Sequence, residues 1–332
     1  MKSLFDGQDI LITGGTGSFG KQFTRTVLAN CKPKRLIIYS RDEFKQFEMA
    51  QEFPEDKYPC MRYFIGDVRD QQRLERAFDG VDYVIHAAAI KHVSIAEYNP
   101  FECVKTNIHG AENVVNAAIN QRVKKIVALS TDKACNPINL YGATKLASDK
   151  IFIAANNYAG TSRCRFSVVR YGNVVGSRGS VVPFFSKLIA EGADFLPITD
   201  DRMTRFWITV QAGVDFVTDS FKMMNGGEIF VPKIPSMGIM DITRIMAPNM
   251  KTKVIGIRPG EKLHEEMISE ADAMNTYELE DRYVIKSQSI FRTEKENPNK
   301  QPGKLVENDF HYASDSNSEW VTDDQFKEML EK

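Results

Sequence analysis

Short apolar runs recur through the first half of the chain, and a segment long enough for a helix separates each run from the next. The runs are Ile10–Ile12, Arg35–Tyr39, Met61–Ile65, Tyr83–His86, Ile126–Leu129 and Phe166–Val169. Runs rich in Ile, Val and aromatic residues are typical of strands buried on both faces, and their alternation with helices is typical of parallel sheets. The pattern therefore predicts an α/β fold with a doubly wound parallel sheet.

The predicted strands all fall within residues 1–172, which we expect to form the nucleotide-binding domain. Residues 173–332 are expected to form mainly a smaller C-terminal α/β lobe that binds substrate, with some chain returning to the sheet. A polar, proline-bearing stretch over residues 293–304 predicts an exposed connection, and a short helix is expected from about Thr322 to Leu330.

Ligands of doubly wound sheets bind beyond the carboxyl ends of the strands, where the strand order reverses. The residues at those ends are Thr13, Ser40, Asp67, Ala87 and Ser130. These positions mark the edge of the sheet at which functional side chains are expected.

A glycine-rich turn, TGGTGSFG, follows the first strand and precedes a predicted helix. Glycine lets the backbone turn tightly and approach a pyrophosphate, while the helix offers its unpaired N–H groups to the anion. The turn predicts a dinucleotide site of the Rossmann type, and the alternative is a glycine turn without a ligand. The expected cofactor contacts here are Gly14, Thr16, Gly17, Ser18, Phe19 and Gly20.

The end of the second strand bears on which nicotinamide dinucleotide binds. Ser40 and Arg41 come first, and a guanidinium suits the 2′-phosphate of NADP. In the alternative, Asp42 binds the ribose diol of NAD and Arg41 is solvated. We favour NADP. Further residues expected at the cofactor are Lys45, Asp67, Val68, Ala87, Ala88, Lys91, Asn107, Tyr141 and Lys145.

Tyr141 and Lys145 lie four residues apart after the fifth predicted strand, so they share one face of a helix. We expect the ammonium to lower the pKa of the phenol, which then takes a hydroxyl proton while hydride leaves the same carbon. Thr131 supplies a hydroxyl that would orient the reacting oxygen. The spacing alone is common, with a surface tyrosine and a solvated lysine as the alternative, but its place in the fold favours catalysis.

These features resemble the extended short-chain dehydrogenase/reductase superfamily, which works on nucleotide-activated sugars. More narrowly, about residues 5 to 270 are similar to the inverting UDP-N-acetylglucosamine 4,6-dehydratases that open pseudaminic acid biosynthesis. The similar segments are STDKACNPINLYGATK, VVRYGNVVGSRGSVVPFF, MTRFWI, GGEIFVPKIPS and RPGEKLHE. The resemblance implies UDP-N-acetylglucosamine as substrate, NADP recycled within the catalytic cycle, and a homo-oligomer, either a dimer or a hexamer.

Asp132 and Lys133 favour dehydration over simple epimerisation. Oxidation at carbon 4 makes the carbon 5 proton acidic, and loss of that proton with the carbon 6 hydroxyl needs a base and an acid. We expect Lys133, with a pKa lowered by desolvation and nearby cations, to remove the proton, and protonated Asp132 to donate to the leaving hydroxyl. The similar glucose dehydratases carry Asp-Glu at these two positions. The alternative interpretation of Asp132 and Lys133 is a surface ion pair.

The later half of the chain is expected to hold the sugar nucleotide. Arg205 and Arg258 are predicted as a paired pyrophosphate clamp, since guanidiniums bind phosphate oxygens bidentately. The resemblance implies that Glu261 binds the uridine ribose. The other residues expected at the substrate are Lys91, Thr131, Asn173 and Val182.

Composition narrows the function further. A net charge of −1 over 332 residues provides no basic field for nucleic acid. No apolar stretch is long enough for a membrane span and no secretory signal is apparent, so we expect a cytoplasmic protein with no membrane partner. The cysteines lack a disulfide framework, and the histidines lack metal-ligand spacing, so no metal is expected.

Alternatives to the inverting dehydratase stay open. A retaining 4,6-dehydratase is one, and a sugar-nucleotide 4-epimerase or simple reductase would keep Tyr141 and Lys145 but give Asp132 and Lys133 no work. A catalytically silent NADP-binding regulator belongs to a different class of function. The complete set of Thr131, Tyr141 and Lys145 argues against such a regulator.

Overall fold

The structure, a computed structural model, describes residues 4–160, 164–177, 179–287 and 303–331. Its strands are β1 (Asp9–Thr13), β2 (Arg35–Ser40), β3 (Met61–Ile65), β4 (Tyr83–His86), β5 (Lys125–Thr131), β6 (Arg165–Tyr171), β7 (Asn173–Val174), β8 (Phe195–Ile198), β9 (Thr204–Ile208), β10 (Glu228–Pro232), β11 (Ser236–Gly238), β12 (Lys251–Val254), β13 (Glu266–Ile268), β14 (Thr276–Glu278), β15 (Arg282–Lys286), β16 (Lys304–Leu305) and β17 (Tyr312–Ala313).

The helices alternate with these strands through the first half of the chain. They are α1 (Ser18–Asn30), α2 (Glu43–Glu52), α3 (Gln71–Phe78), α4 (Val93–Tyr98), α5 (Pro100–Val104), α6 (Gly110–Asn120), α7 (Leu140–Tyr158), α8 (Val181–Ala190), α9 (Val210–Met223), α10 (Ile239–Met246), α11 (Glu270–Ala273) and α12 (Asp323–Glu331). A π-helical turn, Lys105–His109, joins α5 to α6, and a 3₁₀ turn, Asp132–Ala134, follows β5. None of the helices in the described ranges has the length and apolar character needed to cross a bilayer.

One large sheet contains ten of the described strands in the order β16-β14-β15-β10-β6-β5-β4-β1-β2-β3. The seven strands from β10 to β3 run parallel, and β15 joins them in antiparallel orientation. Every residue of β1 is buried, as expected for a strand covered on both faces. The predicted doubly wound parallel sheet is confirmed, with its switch point between β1 and β4.

A second apolar core lies under the later part of the chain. It includes Val182 and Phe185 of α8, Trp207 of β9 and Phe326 of α12. The ring of Trp207 meets that of Phe326 edge to face at 5.7 Å, so the C-terminal helix is part of this core. The predicted C-terminal helix is therefore present as α12, whereas residues 293–302 of the predicted connection lie outside the described residues.

Candidate active site

The turn after β5 and the first turns of α7 carry the predicted catalytic residues. β5 ends at Thr131, the 3₁₀ turn holds Asp132 and Lys133, and α7 begins at Leu140. Asn139 caps this helix, because its side-chain oxygen accepts from the N–H of Gly142 at 2.7 Å. The cap places Tyr141 in the first turn of α7, next to the end of β5.

Five side chains form one continuous set of polar contacts at this point. The Thr131 hydroxyl lies beside the phenol of Tyr141 and donates to Asp132 Oδ1 at 2.7 Å. Lys133 Nζ donates to the same Asp132 oxygen at 3.1 Å and lies 3.0 Å from Glu265 Oε1. The contacts therefore run from Tyr141 through Thr131, Asp132 and Lys133 to Glu265.

The two carboxylates of this set are almost completely enclosed. The side chains of Asp132 and Glu265 are 1% and 2% exposed, whereas that of Lys133 is 23% exposed. One oxygen of each carboxylate, Asp132 Oδ2 and Glu265 Oε2, is buried without a hydrogen-bond partner among the described residues. Buried polar atoms are nearly always partnered, so such an oxygen is suited to receive a donor from a bound molecule.

The prediction for the Lys133 pKa was wrong in its direction. Burial lowers the pKa of this ammonium, but the adjacent carboxylates of Asp132 and Glu265 outweigh burial and raise the pKa above its usual value. The only cation opposing them among the described neighbours is Arg205. Lys133 is therefore held as an ammonium, and it becomes a base only after it has passed a proton to another group.

The phenol of Tyr141 also differs from its expected state. Burial raises its pKa to about 12, and the Lys133 ammonium and the Thr131 hydroxyl are the groups that lower it. Lys145, from which this effect was expected, instead donates to the Leu129 carbonyl at 2.7 Å, and burial lowers its own pKa. The cation that acts on Tyr141 is thus Lys133.

Glu265 is the residue of this set that the sequence analysis missed. It belongs to the RPGEKLHE segment, in which only Arg258 and Glu261 drew attention. Its N–H donates to Ser314 Oγ at 2.9 Å, and its carbonyl accepts from the Ser314 N–H at 2.8 Å. The signal in the sequence was a second acidic residue in that segment, four positions beyond Glu261.

The RPGEKLHE segment is fastened to the turn that follows β5. Asn139 donates to the Gly260 carbonyl at 2.7 Å, and Lys262 donates to the Cys135 carbonyl at 2.6 Å. Asn136 donates to the carboxylate of Glu266 at 2.6 Å. These contacts, together with the ion pair of Lys133 and Glu265, fix the two segments against each other.

The glycine turn after β1 has the shape of a phosphate cradle. Gly14 has a φ of +67°, and a Cβ there would lie 2.9 Å from the backbone of Ala88. A Cβ at Gly20 would collide with the backbone of Gly15. α1 begins at Ser18 with no side chain capping its N–H groups, so these donors face outward from Gly17. Thr16 is buried in this turn, while Ser18 and Phe19 are half-buried.

The side chains at the end of β2 and just after it differ in whether they already have a partner within the protein. Asp42 caps α2 by accepting from the Lys45 N–H at 3.0 Å, and its other oxygen pairs with Lys45 Nζ at 2.7 Å. Ser40 accepts from the side chain of Gln46 at 3.0 Å. Arg41 is exposed and lies 3.5 Å from Asp67. Of these groups, Arg41 has the most freedom to meet a ligand.

Asp67 and Asn107 make more contacts within the protein than the sequence indicated. The carboxylate of Asp67 accepts two N–H groups of the Arg69 guanidinium at 2.9 and 2.7 Å. Asn107 exchanges hydrogen bonds with the backbone of Ile90 at 2.9 and 3.0 Å and donates to Thr144 at 3.0 Å. The side chain of Asn107 therefore braces the loop after β4 against α7.

The remaining residues predicted at the cofactor line the same edge of the sheet. Ala87 and Ala88 follow β4 and are half-buried, and the backbone of Ala88 touches Gly14. Val68 is buried behind Asp67, and Lys91 is exposed after the same strand as Ala88. Small side chains at 87 and 88 leave the approach to the glycine turn open.

The two arginines predicted as a phosphate clamp behave differently. Arg205 donates to the carbonyls of Thr204, Leu263 and Lys262 at 2.7, 2.9 and 2.9 Å, and its Nε lies 3.7 Å from Glu265. Its guanidinium therefore supports the RPGEKLHE segment, which corrects the expectation that it is available to a phosphate. Arg258 is exposed and lies 3.5 Å from Glu261, so it remains available.

Asn173 and Val182, which were both predicted at the substrate, belong to two different elements of the later part of the chain. Asn173 is half-buried in β7 and pairs with Trp207 of β9. Val182 is buried in α8 within the second core. Within the described part of the chain, no three His, Cys, Asp or Glu side chains are grouped so that they could hold a metal ion.

Comparison with known proteins places the chain in a family. The chain matches the family described as polysaccharide biosynthesis protein over residues 10–287. It is 62% identical to the UDP-N-acetylglucosamine 4,6-dehydratase (inverting) of Campylobacter jejuni subsp. jejuni serotype O:2, covering 99% of this chain and 98% of the relative. It is 40% identical to a UDP-glucose 4-epimerase of Rickettsia massiliae, covering 85% and 84% of the two chains. The crystal structure of Pen from Bacillus thuringiensis is 38% identical, with a TM-score of 0.88 and 98% of both chains covered.

Asn139 offers a test of the contact between α7 and the RPGEKLHE segment. Asn139→Ala removes both the helix cap and the bond to Gly260, and we expect the free energy of unfolding to fall by about 2 kcal/mol. Asn139→Ser keeps an oxygen for the cap but is too short to donate to the Gly260 carbonyl, so about half of that loss is expected. Urea denaturation measures both values, and equal losses in the two variants would contradict the double role.

Proposed function

The chain belongs to the family of polysaccharide biosynthesis proteins, and we propose that it is an inverting UDP-N-acetylglucosamine 4,6-dehydratase. The product would be UDP-2-acetamido-2,6-dideoxy-β-L-arabino-hexos-4-ulose, the first intermediate of a pathway to pseudaminic acid. The observation that carries the proposal is the Asp132–Lys133 pair, joined through Thr131 to Tyr141. The 62% identity over 99% of the chain supports the substrate.

The glycine turn supports a nicotinamide dinucleotide as cofactor. Its backbone comes too close to neighbouring backbone for side chains at Gly14 and Gly20, and α1 directs uncapped N–H groups from its start. When bound, the dinucleotide would accept hydride from carbon 4 of the sugar and return it to carbon 6. Gly17, Ser18 and the N-terminal turn of α1 would hold its pyrophosphate.

The contacts after β2 favour NADP over NAD. The carboxylate of Asp42 is occupied by the α2 cap and by Lys45, which leaves it poorly placed for a ribose diol. Arg41 is exposed beside it and carries the guanidinium that a 2′-phosphate requires.

Tyr141 and Thr131 would hold the oxygen at carbon 4. We assign to Tyr141 the proton that leaves this oxygen during oxidation, with Thr131 orienting it. The phenol pKa of about 12 must fall for this transfer, and the Lys133 ammonium and the Thr131 hydroxyl act in that direction. Lys145 would hold the start of α7 against β5 through the Leu129 carbonyl and remain near the cofactor.

Asp132 and Lys133 would carry the elimination. Transfer of one proton from Lys133 Nζ to Asp132 Oδ1, across 3.1 Å, produces an amine and a protonated carboxyl. The amine then takes the proton at carbon 5, while the carboxyl donates to the hydroxyl leaving carbon 6. A single internal proton transfer thus turns the ion pair into the acid and base that dehydration requires.

A sugar-nucleotide 4-epimerase is the second candidate, because a 40% identical relative carries that name. An epimerase would use Tyr141 and Thr131 for oxidation and reduction at carbon 4. An epimerase would give the pair of Lys133 and the buried Asp132 no catalytic role, and for this reason we favour dehydration.

The reaction in deuterated water separates the two candidates. We expect UDP-N-acetylglucosamine to lose its carbon 6 hydroxyl and to gain one deuterium at carbon 5, because the proton returned there comes from exchangeable groups. NMR and mass spectrometry of the product measure both changes, and the carbon 5 configuration distinguishes inversion from retention. A product that keeps its carbon 6 hydroxyl would exclude a dehydratase.

Lys133→Met tests the assigned acid–base pair. We expect turnover to fall by about 10²- to 10⁴-fold, the usual contribution of a general acid or base, while NADP binding is unchanged. Lys150→Met, on the exposed side of α7, is the matched control and should retain full activity. Turnover near that of the unmodified enzyme in Lys133→Met would refute the assignment.

Arg41→Ala tests the choice of cofactor. We expect the affinity for NADP to fall by about 10- to 100-fold, as for loss of a hydrogen-bonded charge, with little change for NAD. Arg76→Ala, an exposed arginine of α3, serves as the control. Titration of both dinucleotides by calorimetry gives the four affinities, and an equal loss for NADP and NAD in Arg41→Ala would argue against 2′-phosphate recognition.

A further inference from the structure

We propose that Glu265 is a positioning residue for Lys133. It holds Lys133 beside Asp132, and it stabilises the Lys133 ammonium when a proton arrives from the sugar. The inference rests on the proposed function, because it concerns the same elimination. Glu265 lies more than one hundred residues beyond Lys133 in the chain, yet the two charged groups are 3.0 Å apart.

The carboxylate of Glu265 is held in place by the backbone around it. Two hydrogen bonds join the main chain of Glu265 to Ser314, one through its N–H and one through its carbonyl. The next residues form β13, which pairs with β17. A side chain that is 2% exposed on such a braced segment has little freedom, so Lys133 meets a partner of fixed position.

The ionisable groups around Lys133 come from four different elements. Asp132 precedes it in the 3₁₀ turn, Glu265 precedes β13, Arg205 belongs to β9, and Tyr141 lies in α7. The two carboxylates and the two cations cancel in formal charge, which offsets the cost of burying Asp132 and Glu265. Arg205 Nε lies 3.7 Å from the Glu265 carboxylate, so this carboxylate has a second cation beside it.

This arrangement divides the work between the two carboxylates. The N–H bond of Lys133 breaks as an O–H bond forms on Asp132, and the lone pair left on nitrogen takes the carbon 5 proton. The electrons of that C–H bond form the carbon–carbon double bond as the carbon 6–oxygen bond breaks, and Asp132 gives its proton to the leaving oxygen. Lys133 is again an ammonium, and Glu265 stays ionised throughout beside it, as a carboxylate stabilises the protonated base in a catalytic triad.

Glu265→Gln tests the inference while nearly preserving the shape of the side chain. We expect kcat/KM to fall by about 10- to 100-fold, the range for a hydrogen bond to a charged group, with cofactor affinity unchanged. Removal of the negative charge lowers the pKa of Lys133, so the alkaline limb of the kcat/KM profile should move to lower pH. The kinetic isotope effect with substrate deuterated at carbon 5 should increase, because proton removal becomes slower than the other steps.

Glu266→Gln is the matched control, since it removes the same charge one residue away, where the carboxylate contacts Asn136. It should keep the pH profile and the isotope effect of the unmodified enzyme. Glu265→Asp retains the charge one carbon further from Lys133, so its alkaline limb should stay in place while kcat falls.

Two outcomes would overturn the inference. In the first, the unmodified enzyme dehydrates its substrate normally, and Glu265→Gln has the same kcat/KM, alkaline limb and isotope effect as Glu266→Gln. In the second, Glu265→Asp keeps the full kcat of the unmodified enzyme. This second outcome can be measured even if Glu265→Gln does not fold. Failure of the unmodified enzyme to dehydrate its substrate would instead refute the proposed function.

Discussion

The ammonium of Lys133 between two buried carboxylates is the interaction on which the arrangement of the site depends. Buried carboxylates are costly unless cations lie beside them, so Asp132 and Glu265 require Lys133 and Arg205. These residues come from the turn after β5, from β9 and from the segment before β13. Pairing their charges therefore brings β9 and the segment before β13 together with the turn after β5.

The end of the chain contributes to this site without supplying an acid or base. Ser314 fixes the backbone of Glu265, and its hydroxyl also lies 2.8 Å from Thr204, next to Arg205. Ser314, directly after β17, thus connects the support of Glu265 to the strand that carries Arg205. Helix α12 packs Phe326 against Trp207, which belongs to the same strand β9 as Arg205. Residues near the end of the chain therefore support both Glu265 and Arg205.

The sequence predicted those features that depend on neighbours close in the chain. The strands, the glycine turn and the shared helix face of Tyr141 and Lys145 follow from local periodicity and spacing, and the structure confirms the sheet that they form. Glu265 could not be found in this way, because its partner Lys133 lies far away in the chain. The errors about Lys133 and Tyr141 concern the sign of a pKa shift, which depends on how burial balances against neighbouring charges. Burial lowers the pKa of Lys133, but the carboxylates of Asp132 and of the distant Glu265 outweigh it, whereas burial raises the pKa of Tyr141. Arg205 illustrates the limit of local patterns again, because two of the three carbonyls that its guanidinium contacts lie beyond residue 260.

A lysine in place of an acid changes the electrostatics of the elimination. With Asp132, Glu265, Lys133 and Arg205 the cluster carries no formal net charge, and a proton moved from Lys133 to Asp132 leaves that sum unchanged. Two neighbouring acids would have to share protons against their mutual repulsion, which raises the pKa of one of them. In the present cluster the attraction between Lys133 and its carboxylates must instead be weakened before the amine can form. The incoming sugar, by displacing solvent, would favour the neutral amine and carboxyl over the ion pair. A hydrogen bond from the sugar to the buried Glu265 Oε2 would also weaken the attraction of Glu265 for the ammonium.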